Sequence, residues 1–288
     1  MRIRVVLVLA VLALLSLPGA VGSAAVMCQG LPATRVGGPG PDTLFGTDGP
    51  DVIAGLGGDD ILWGYKGDDT ICGGDGNDTI WAGEGTNRVW GEAGDDVISG
   101  GSHFDTFYGG PGRDVLDPGA GAMSRLYGQG GRDRILLRRV QIGDDQLVDG
   151  GGGRDILDLR NVPAVNAGFV PTVVLYLDQA LPNLYAESLV NGQIHPAGSV
   201  TGIEVVYGTS GIDTLIGNDT ANTLRGLGGA DSISGGGGND RLEGGAGNDS
   251  LYGDNGDDRL RGGSGTDTAH GGGGTDTCLA ETRTLCEL

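Results

Sequence analysis

A nine-residue repeat constrains this sequence more than any other feature. From Gly37 the chain divides into nine consecutive nonapeptides that end at Asp117, and a second block of eight runs from Gly208 to Leu279. Typical units are GLGGDDILW, GGDGNDTIW and GGAGNDSLY. Glycine recurs at the first, second and fourth positions, aspartate at the sixth and an apolar residue at the eighth. Clustered glycine with a period of nine excludes a helical fold, because glycine destabilises helix interiors.

The repeat predicts very short strands joined by tight turns. Glycine permits the positive backbone φ angles that such turns need, and the residues around the apolar position are often β-branched, as strands prefer. Two units per coil place the turns of one side 18 residues apart in sequence, stacked at about the 4.8 Å spacing of neighbouring strands. The expected fold is therefore all-β, a parallel β-roll (solenoid) in two repeat blocks with an irregular β-rich middle segment.

The two blocks divide the chain into six expected segments. These are a signal peptide (1–25), an N-terminal cap (26–36), a first β-roll (37–117), a middle segment of degenerate repeats and an insert (118–207), a second β-roll (208–279) and a C-terminal cap (280–288). The degenerate repeats lie at Gly128–Leu136 and Gly150–Asp158.

The middle segment carries three expectations of its own. The alternation of Val173, Leu175 and Leu177 predicts a continuation of the coil without metal. The stretch 179–193 is expected to form a loop or one short helix. A cluster of arginines is expected to pair with the neighbouring acidic roll rather than with an anionic partner; its members are Arg132, Arg134, Arg138 and Arg139.

The first 25 residues are typical of a secretory signal. Arg2 and Arg4 precede an apolar stretch from Val5 to Leu17, and small residues at 23–25 follow as a cleavage site. The apolar stretch is short for a membrane span. We therefore expect a secreted, extracellular protein with no membrane span in the mature chain.

Four cysteines in an exported chain indicate two disulfides. Of the three possible pairings, proximity in the sequence favours Cys28–Cys72 and Cys278–Cys286. We expect these disulfides to fasten the two ends of the repeat array, since such arrays need closed ends.

The charge balance points to cations as partners. Acidic residues number 38 against 18 basic ones, and the net charge of −20 with no basic stripe argues against nucleic acid. The sixth position concentrates this charge, and asparagine replaces aspartate there only at Asn87 and Asn222. The candidate metal ligands are Asp42, Asp51, Asp60, Asp69, Asp78, Asp96, Asp105, Asp114, Asp213, Asp231, Asp240, Asp249, Asp258, Asp267 and Asp276.

Stacked carboxylates predict a calcium site between neighbouring coils. Two carboxylates at strand spacing repel by about 3.5 kcal/mol at an effective dielectric near 20. Ca²⁺ suits such a site, because it accepts six to eight oxygens in flexible geometry, including backbone carbonyls. Zinc would prefer His or Cys, which the sixth positions of the repeats lack. We expect folding to be coupled to calcium binding, with weak sites beside Asn87, Asn222, His103 and Thr220.

The repeats resemble the hemolysin-type calcium-binding (RTX) nonapeptide, G-G-x-G-x-D-x-U-x, in which U is a large apolar residue. The resemblance implies a parallel β-roll with calcium held between stacked turns. It does not carry over toxin or protease roles, because the chain has an N-terminal signal where many family members use a C-terminal one.

The sequence therefore favours a secreted calcium-binding repeat protein that folds on Ca²⁺ and has no catalytic activity. No H-E-x-x-H or G-x-S-x-G motif is present. The alternatives are a calcium-stiffened protein of the cell surface or matrix with an adhesive or structural role, and a non-catalytic remnant of a secreted hydrolase or toxin. Aspartates that merely cap turns are a further alternative, as aspartate often does so.

Overall fold

The computed structural model describes residues 25–121, 123–138, 140, 145–162, 173–177, 184–187, 194–284 and 286. The expected signal peptide and Arg139 thus lie outside the described residues, except for residue 25. The described residues form no helix, and none of their elements is a helix able to span a membrane. The fold is all-β, as the repeat predicted.

Two sheets of mostly parallel strands form the opposite faces of a solenoid, and successive strands alternate between them except in the middle segment. Sheet I has 12 strands. In spatial order they are Thr43–Phe45, Ile61–Trp63, Thr79–Trp81, Val97–Ser99, Val115–Asp117, Arg134–Leu136, Ile156–Asp158, Val205–Tyr207, Thr223–Gly228, Arg241–Ala246, Arg259–Ser264 and Thr277–Leu279.

Sheet II faces sheet I and has 16 strands. Gly152–Gly153 pairs beside Arg125–Gly131. The other strands, in spatial order, are Arg35–Val36, Val52–Gly57, Thr70–Asp75, Arg88–Ala93, Thr106–Gly112, Arg125–Gly131, Gln146–Asp149, Ile194–Thr201, Leu184–Glu187, Val173–Tyr176, Asp213–Ile216, Ser232–Gly237, Ser250–Asn255, Thr268–Gly273 and Thr282–Thr284.

The register between coils equals two repeats. Leu44 is paired with Leu62, and Leu62 with Ile80, so equivalent residues of successive units lie side by side. The eighth-position side chains point inward from both sheets and form one continuous core that includes Ile53, Phe107 and Leu242, all 0% exposed. Successive side chains of a strand point to opposite faces of the sheet, so the residues on either side of the eighth position point outward. Each short strand of three residues therefore contributes one residue to the core.

The middle segment is more regular than the sequence indicated. Sheet I passes through it without a break, from Arg134–Leu136 through Ile156–Asp158 to Val205–Tyr207. The expected loop or helix at 179–193 is wrong for Leu184–Glu187, which is a strand antiparallel to both of its neighbours in sheet II. This strand pairs with Val173–Tyr176 on one side and with Ile194–Thr201 on the other, whose edges would otherwise lack partners. Val173–Tyr176 continues the sheet beside Asp213–Ile216.

Disulfides close both ends of the described array. Cys28 bonds to Cys72 and Cys278 to Cys286, the pairing that sequence proximity favoured. The first disulfide joins a small antiparallel pair, Met27–Cys28 with Leu31–Pro32, to the outer face of sheet II.

Candidate metal sites

The sixth-position aspartates form two rows, one at each edge of the solenoid, where turns lead into strands. Within a row, the backbone N–H of one aspartate donates to Oδ1 of the aspartate one coil further on. The N···Oδ1 distance is 2.8 Å from Asp60 to Asp78 and 2.8 Å from Asp78 to Asp96. The rows therefore lock the register of successive coils, and they bring together the predicted ligands in the predicted pairs.

The row beside sheet I continues through the middle segment, which the sequence analysis missed. Asp114 N–H donates to Asp133 at 2.9 Å, Asp133 to Asp155 at 2.7 Å, and Asp155 to Glu204 Oε2 at 2.8 Å. These steps span 19, 22 and 49 residues instead of 18, so a strict period hides them. Their signal was nevertheless present, because Asp133 and Asp155 occupy the sixth position of the two degenerate repeats.

The other row, beside sheet II, ends differently in each block. In the first block, Asp105 N–H meets Ser124 Oγ at 3.4 Å, so a serine replaces the next carboxylate. In the second block, Asp267 N–H donates to Glu281 Oε2 at 2.8 Å. Ser124 and Glu281 are outside both repeat blocks, and nothing in the nonapeptide pattern indicates their role.

Most row aspartates keep one carboxylate oxygen without a donor. Their Oδ1 atoms accept main-chain hydrogen bonds, but their Oδ2 atoms are buried and accept none from the described residues. Buried polar atoms are otherwise nearly always satisfied, so a whole row of orphaned carboxylate oxygens requires a cation or a proton. The residues concerned are Asp60, Asp69, Asp78, Asp96, Asp105, Asp114, Asp133, Asp155, Asp231, Asp240, Asp249, Asp258 and Asp267.

The first aspartates of the rows are different. Asp51 Oδ2 accepts hydrogen bonds from Thr47 N at 2.6 Å and Thr47 Oγ1 at 2.8 Å. Asp213 Oδ2 accepts from Thr209 N at 2.7 Å, and Asp42 Oδ2 from Gly38 N at 2.5 Å. Because these oxygens already have donors inside the turn, the three residues fit a cation less well than the rest of the row.

Burial makes the charged form of the row carboxyls unfavourable. Burial, together with the carboxylates of Asp114 and Asp78, raises the pKa of Asp96 to about 8, although a hydrogen bond from Asp78 N–H lowers it. Burial likewise raises the pKa of Asp69 and of Asp231 to about 7. A divalent cation would stabilise the ionised form of these residues.

The turn carbonyls lie next to the orphaned atom. The Asn87 turn shows this directly: its Nδ2 atom, which occupies the δ2 position, lies 3.3 Å from Gly83 O and 3.4 Å from Gly85 O. These are the second and fourth residues of the unit, and both have positive φ, 92° and 119°. Glycine at these positions therefore lets the carbonyls face the carboxylate, as an all-oxygen calcium site requires.

Glycine at the first position makes room for the carboxylate itself. A Cβ atom added at Gly73 would lie 2.2 Å from Asp78 Oδ2 and 2.6 Å from Gly91 O. We expect Gly73→Ala to destabilise the calcium-loaded protein by about 1–3 kcal/mol, as overpacking does, with a lower melting temperature. Gly130→Ala is the control, because nothing lies within 4 Å of a Cβ there. Equal melting temperatures for the two variants would contradict this account of the glycine.

The donor set fits calcium better than a transition metal. Among the described residues, no three His, Cys, Asp or Glu side chains converge on one point. The available ligands are paired carboxylates and backbone carbonyls, which are hard oxygen donors that suit Ca²⁺. Where the sixth-position aspartate has an Oδ2 atom with no donor, the residues present thus fit the ion.

Two members of the arginine cluster pair with carboxylates, Arg138 with one in the first roll as expected and Arg134 with one in the middle segment. Arg134 and Arg160 both bind Asp158, and Arg138 binds Asp117. Burial alone would raise the pKa of Asp158, but the hydrogen bonds from Arg160 and Arg134 outweigh it and lower the pKa to about 2. Asp117 and Asp158 occupy the outward-facing ninth position of their units, at the ends of two sheet I strands.

These features define a parallel β-roll of calcium-binding repeats. The family model for the RTX calcium-binding nonapeptide repeat matches the chain at residues 36–71, 73–106, 90–122, 200–233, 207–242, 216–251 and 252–281. The chain therefore belongs to the RTX repeat family, whose repeats bind Ca²⁺. Asp133 and Asp155 lie outside the matched ranges.

Other comparisons add little. One solved structure with similarity to this chain is the R3 subunit of the mannuronan C5-epimerase AlgE6 from Azotobacter vinelandii, at 20% identity and a TM-score of 0.19. The alignment covers 58% of this chain and 76% of that subunit. No curated protein matches the sequence.

Proposed function

We propose that this protein is a secreted, non-catalytic calcium-binding protein whose β-roll forms when Ca²⁺ binds between stacked turns. The proposed ligands are the row aspartates, with carbonyls of the second and fourth turn residues. The observation that carries the proposal is the row of buried Oδ2 atoms that accept no hydrogen bond from the described residues.

The coupling to folding follows from the cost of those oxygens. An unsatisfied buried polar atom costs about 1–3 kcal/mol, and more when it is charged. The row repeats this cost at every coil, while a whole folded domain is stable by only about 5–15 kcal/mol. A cation bound to the folded state alone would remove the cost and add its own binding free energy to stability.

Secretion is supported by two independent features. The N-terminal residues have the pattern of an export signal, and both cysteine pairs are disulfide-bonded, which is typical of oxidising compartments. The absence of catalysis is supported by the row carboxylates themselves, because their Oδ1 atoms are held by main-chain N–H groups and face the interior of the turns.

Calcium titration followed by far-ultraviolet circular dichroism tests the proposal. Protein freed of metal by a chelator should have little β signal, and adding Ca²⁺ should produce it cooperatively. Equal Mg²⁺ should be far less effective, because Mg²⁺ demands octahedral geometry and sheds water reluctantly. A full β signal in chelator that calcium does not change would refute coupled folding.

A further inference from the structure

Asn87 has a fixed orientation in the row beside sheet II. Its Oδ1 accepts the N–H of Asp69 at 3.0 Å, and its own N–H donates to Asp105 Oδ1 at 3.0 Å. Because the Asp69 N–H needs an acceptor, the amide oxygen must face it, and the amide nitrogen must point into the turn.

The amide nitrogen lies among three oxygens. It is 3.0 Å from Asp105 Oδ1, 3.3 Å from Gly83 O and 3.4 Å from Gly85 O. In an aspartate turn the corresponding atom is Oδ2, an oxygen facing oxygens. At Asn87 two N–H donors are shared among the same acceptors, so the electrostatic need for a cation is met by the side chain.

Ala82 makes this turn different at a second point. All other units of both blocks begin with glycine, and this one begins with Ala82, whose side chain is fully buried in the core. In the coils on either side, a Cβ at Gly64 would lie 2.4 Å from Asp69 Oδ2, and one at Gly100 would lie 2.3 Å from Asp105 Oδ2. A carboxylate placed as in those coils would therefore collide with the Ala82 methyl group.

We infer that the turn 82–87 binds no calcium and that the Asn87 amide group takes the place of the ion there. The inference rests on the proposed function, because it assigns which turns of the roll carry metal. Besides the first turns at Asp42 and Asp51, it gives the first roll a turn within a row that is satisfied without calcium. The adjacent Asp69 turn is left with a neutral oxygen of Asn87 in place of a second carboxylate.

Asn222 does not share this arrangement. Its unit has Gly217 at the first position and Asn218 and Thr220 where the turn glycines belong. Asn222 Oδ1 accepts the N–H of Asn218 at 2.9 Å, and its Nδ2 has no acceptor among the described residues. The replacement of the ion is therefore specific to the pair Ala82 and Asn87.

The test restores the missing site. Calcium bound to the whole protein is counted by equilibrium dialysis for the wild type, Ala82→Gly, Asn87→Asp, and the double variant. Asn77→Asp is the charge control. Asn77 is the exposed fifth residue of the preceding unit, and it lies outside both rows. We expect the double variant to bind at least one ion more than the wild type. Ala82→Gly and Asn77→Asp should bind the same number as the wild type.

Asn87→Asp alone should gain little, because beside the Ala82 methyl group the new carboxylate keeps the place of the Asn87 amide and does not reach the position that it has in units beginning with glycine. If the folded double variant binds no more calcium than the wild type, the inference is wrong although the proposed function stands. If even the wild type binds none, the proposed function fails. The inference is then judged by nuclear magnetic resonance, in which the Asn87 side-chain amide protons should be protected from exchange, and ordinary solvent exchange would overturn it.

Discussion

Replacing Asp78 by asparagine is expected to raise the calcium concentration at half-saturation about tenfold or more, because calcium affinity depends on the charge and number of its ligands. Asparagine keeps an oxygen for the N–H of Asp60, which lies 2.8 Å from Asp78 Oδ1. The variant thus loses the carboxylate while it retains the hydrogen bond that sets the register. Since Gly73 begins this unit, the new amide is not crowded.

The same substitution should change the metal-free protein in the opposite direction. Burial and the neighbouring Asp60 raise the pKa of Asp78 to about 6, so its charge opposes folding at neutral pH. Removing that charge should make the chelated variant at least as stable as the chelated wild type. The β signal in chelator, followed by circular dichroism, and the calcium midpoint measure the two effects.

Asp59→Asn is the matched control. Asp59 is exposed, precedes a row aspartate, and accepts the N–H of Asn77 at 2.8 Å. It loses the same charge outside the row, so its calcium midpoint should stay within about twofold of the wild type, as expected for a screened surface charge. Equal shifts for the two variants would mean that total charge, and not the row, governs calcium binding.

Acidification is expected to release calcium. In the folded chain, burial raises the pKa of Asp96 to about 8 and of Asp69 and Asp114 to about 7. An aspartate in an unfolded chain has a pKa of about 3.9. Protons and calcium compete for the same oxygens, so the calcium midpoint should rise by about tenfold or more as the pH falls from 8 to 6.

The metal-free protein should respond with the opposite sign. A carboxyl whose pKa is raised by folding binds more protons when folded, so its contribution to stability is present near pH 4 and is lost as the pH rises toward 8. In chelator, β structure should therefore increase on acidification. Asp158 does not contribute in this range, because Arg160 and Arg134 hold its pKa near 2.

Circular dichroism titrations with calcium at pH 8, 7 and 6 measure this linkage. A midpoint that does not depend on pH would contradict the assignment of the row carboxyls as ligands.

The regular part of the molecule was predictable because one residue pattern determines both the register and the chemistry. The period of nine placed Asp60 beside Asp78 and Leu44 beside Leu62, and both pairs are adjacent in the structure. The disulfides were predictable from proximity in the sequence, and the register places Cys72 on an outward face near the N-terminal cap.

Irregular chain lengths hid the rest. Asp133, Asp155 and Glu204 continue one row, but loops of different length separate them, and only the three-dimensional coil brings them into line. The hairpin strand Leu184–Glu187 depends on pairing with edges distant in sequence, which a local pattern does not encode. The role of Ala82 could not be predicted from the sequence. It depends on how close the first residue of a unit lies to the sixth-position side chain, and only the structure gives that distance.

The side chains at the fifth position of the repeats form a second, exposed row of hydrogen bonds, which the sequence pattern did not predict for a different reason. Asp95 Oδ1 accepts the N–H of Arg113 at 2.9 Å, and Asn77 Oδ1 that of Asp95 at 2.7 Å. Asparagine and aspartate serve equally as acceptors here, so no single residue type marks the position in the sequence. This exposed row supports the turns by hydrogen bonds at their solvent side.

Equilibrium dialysis of the wild-type protein at millimolar calcium tests the central claim most directly. If the buried Oδ2 atoms of the rows are calcium ligands, the folded, disulfide-bonded protein should retain several ions per chain, and lowering the pH should release them. A protein that remains folded and retains no calcium would contradict the account.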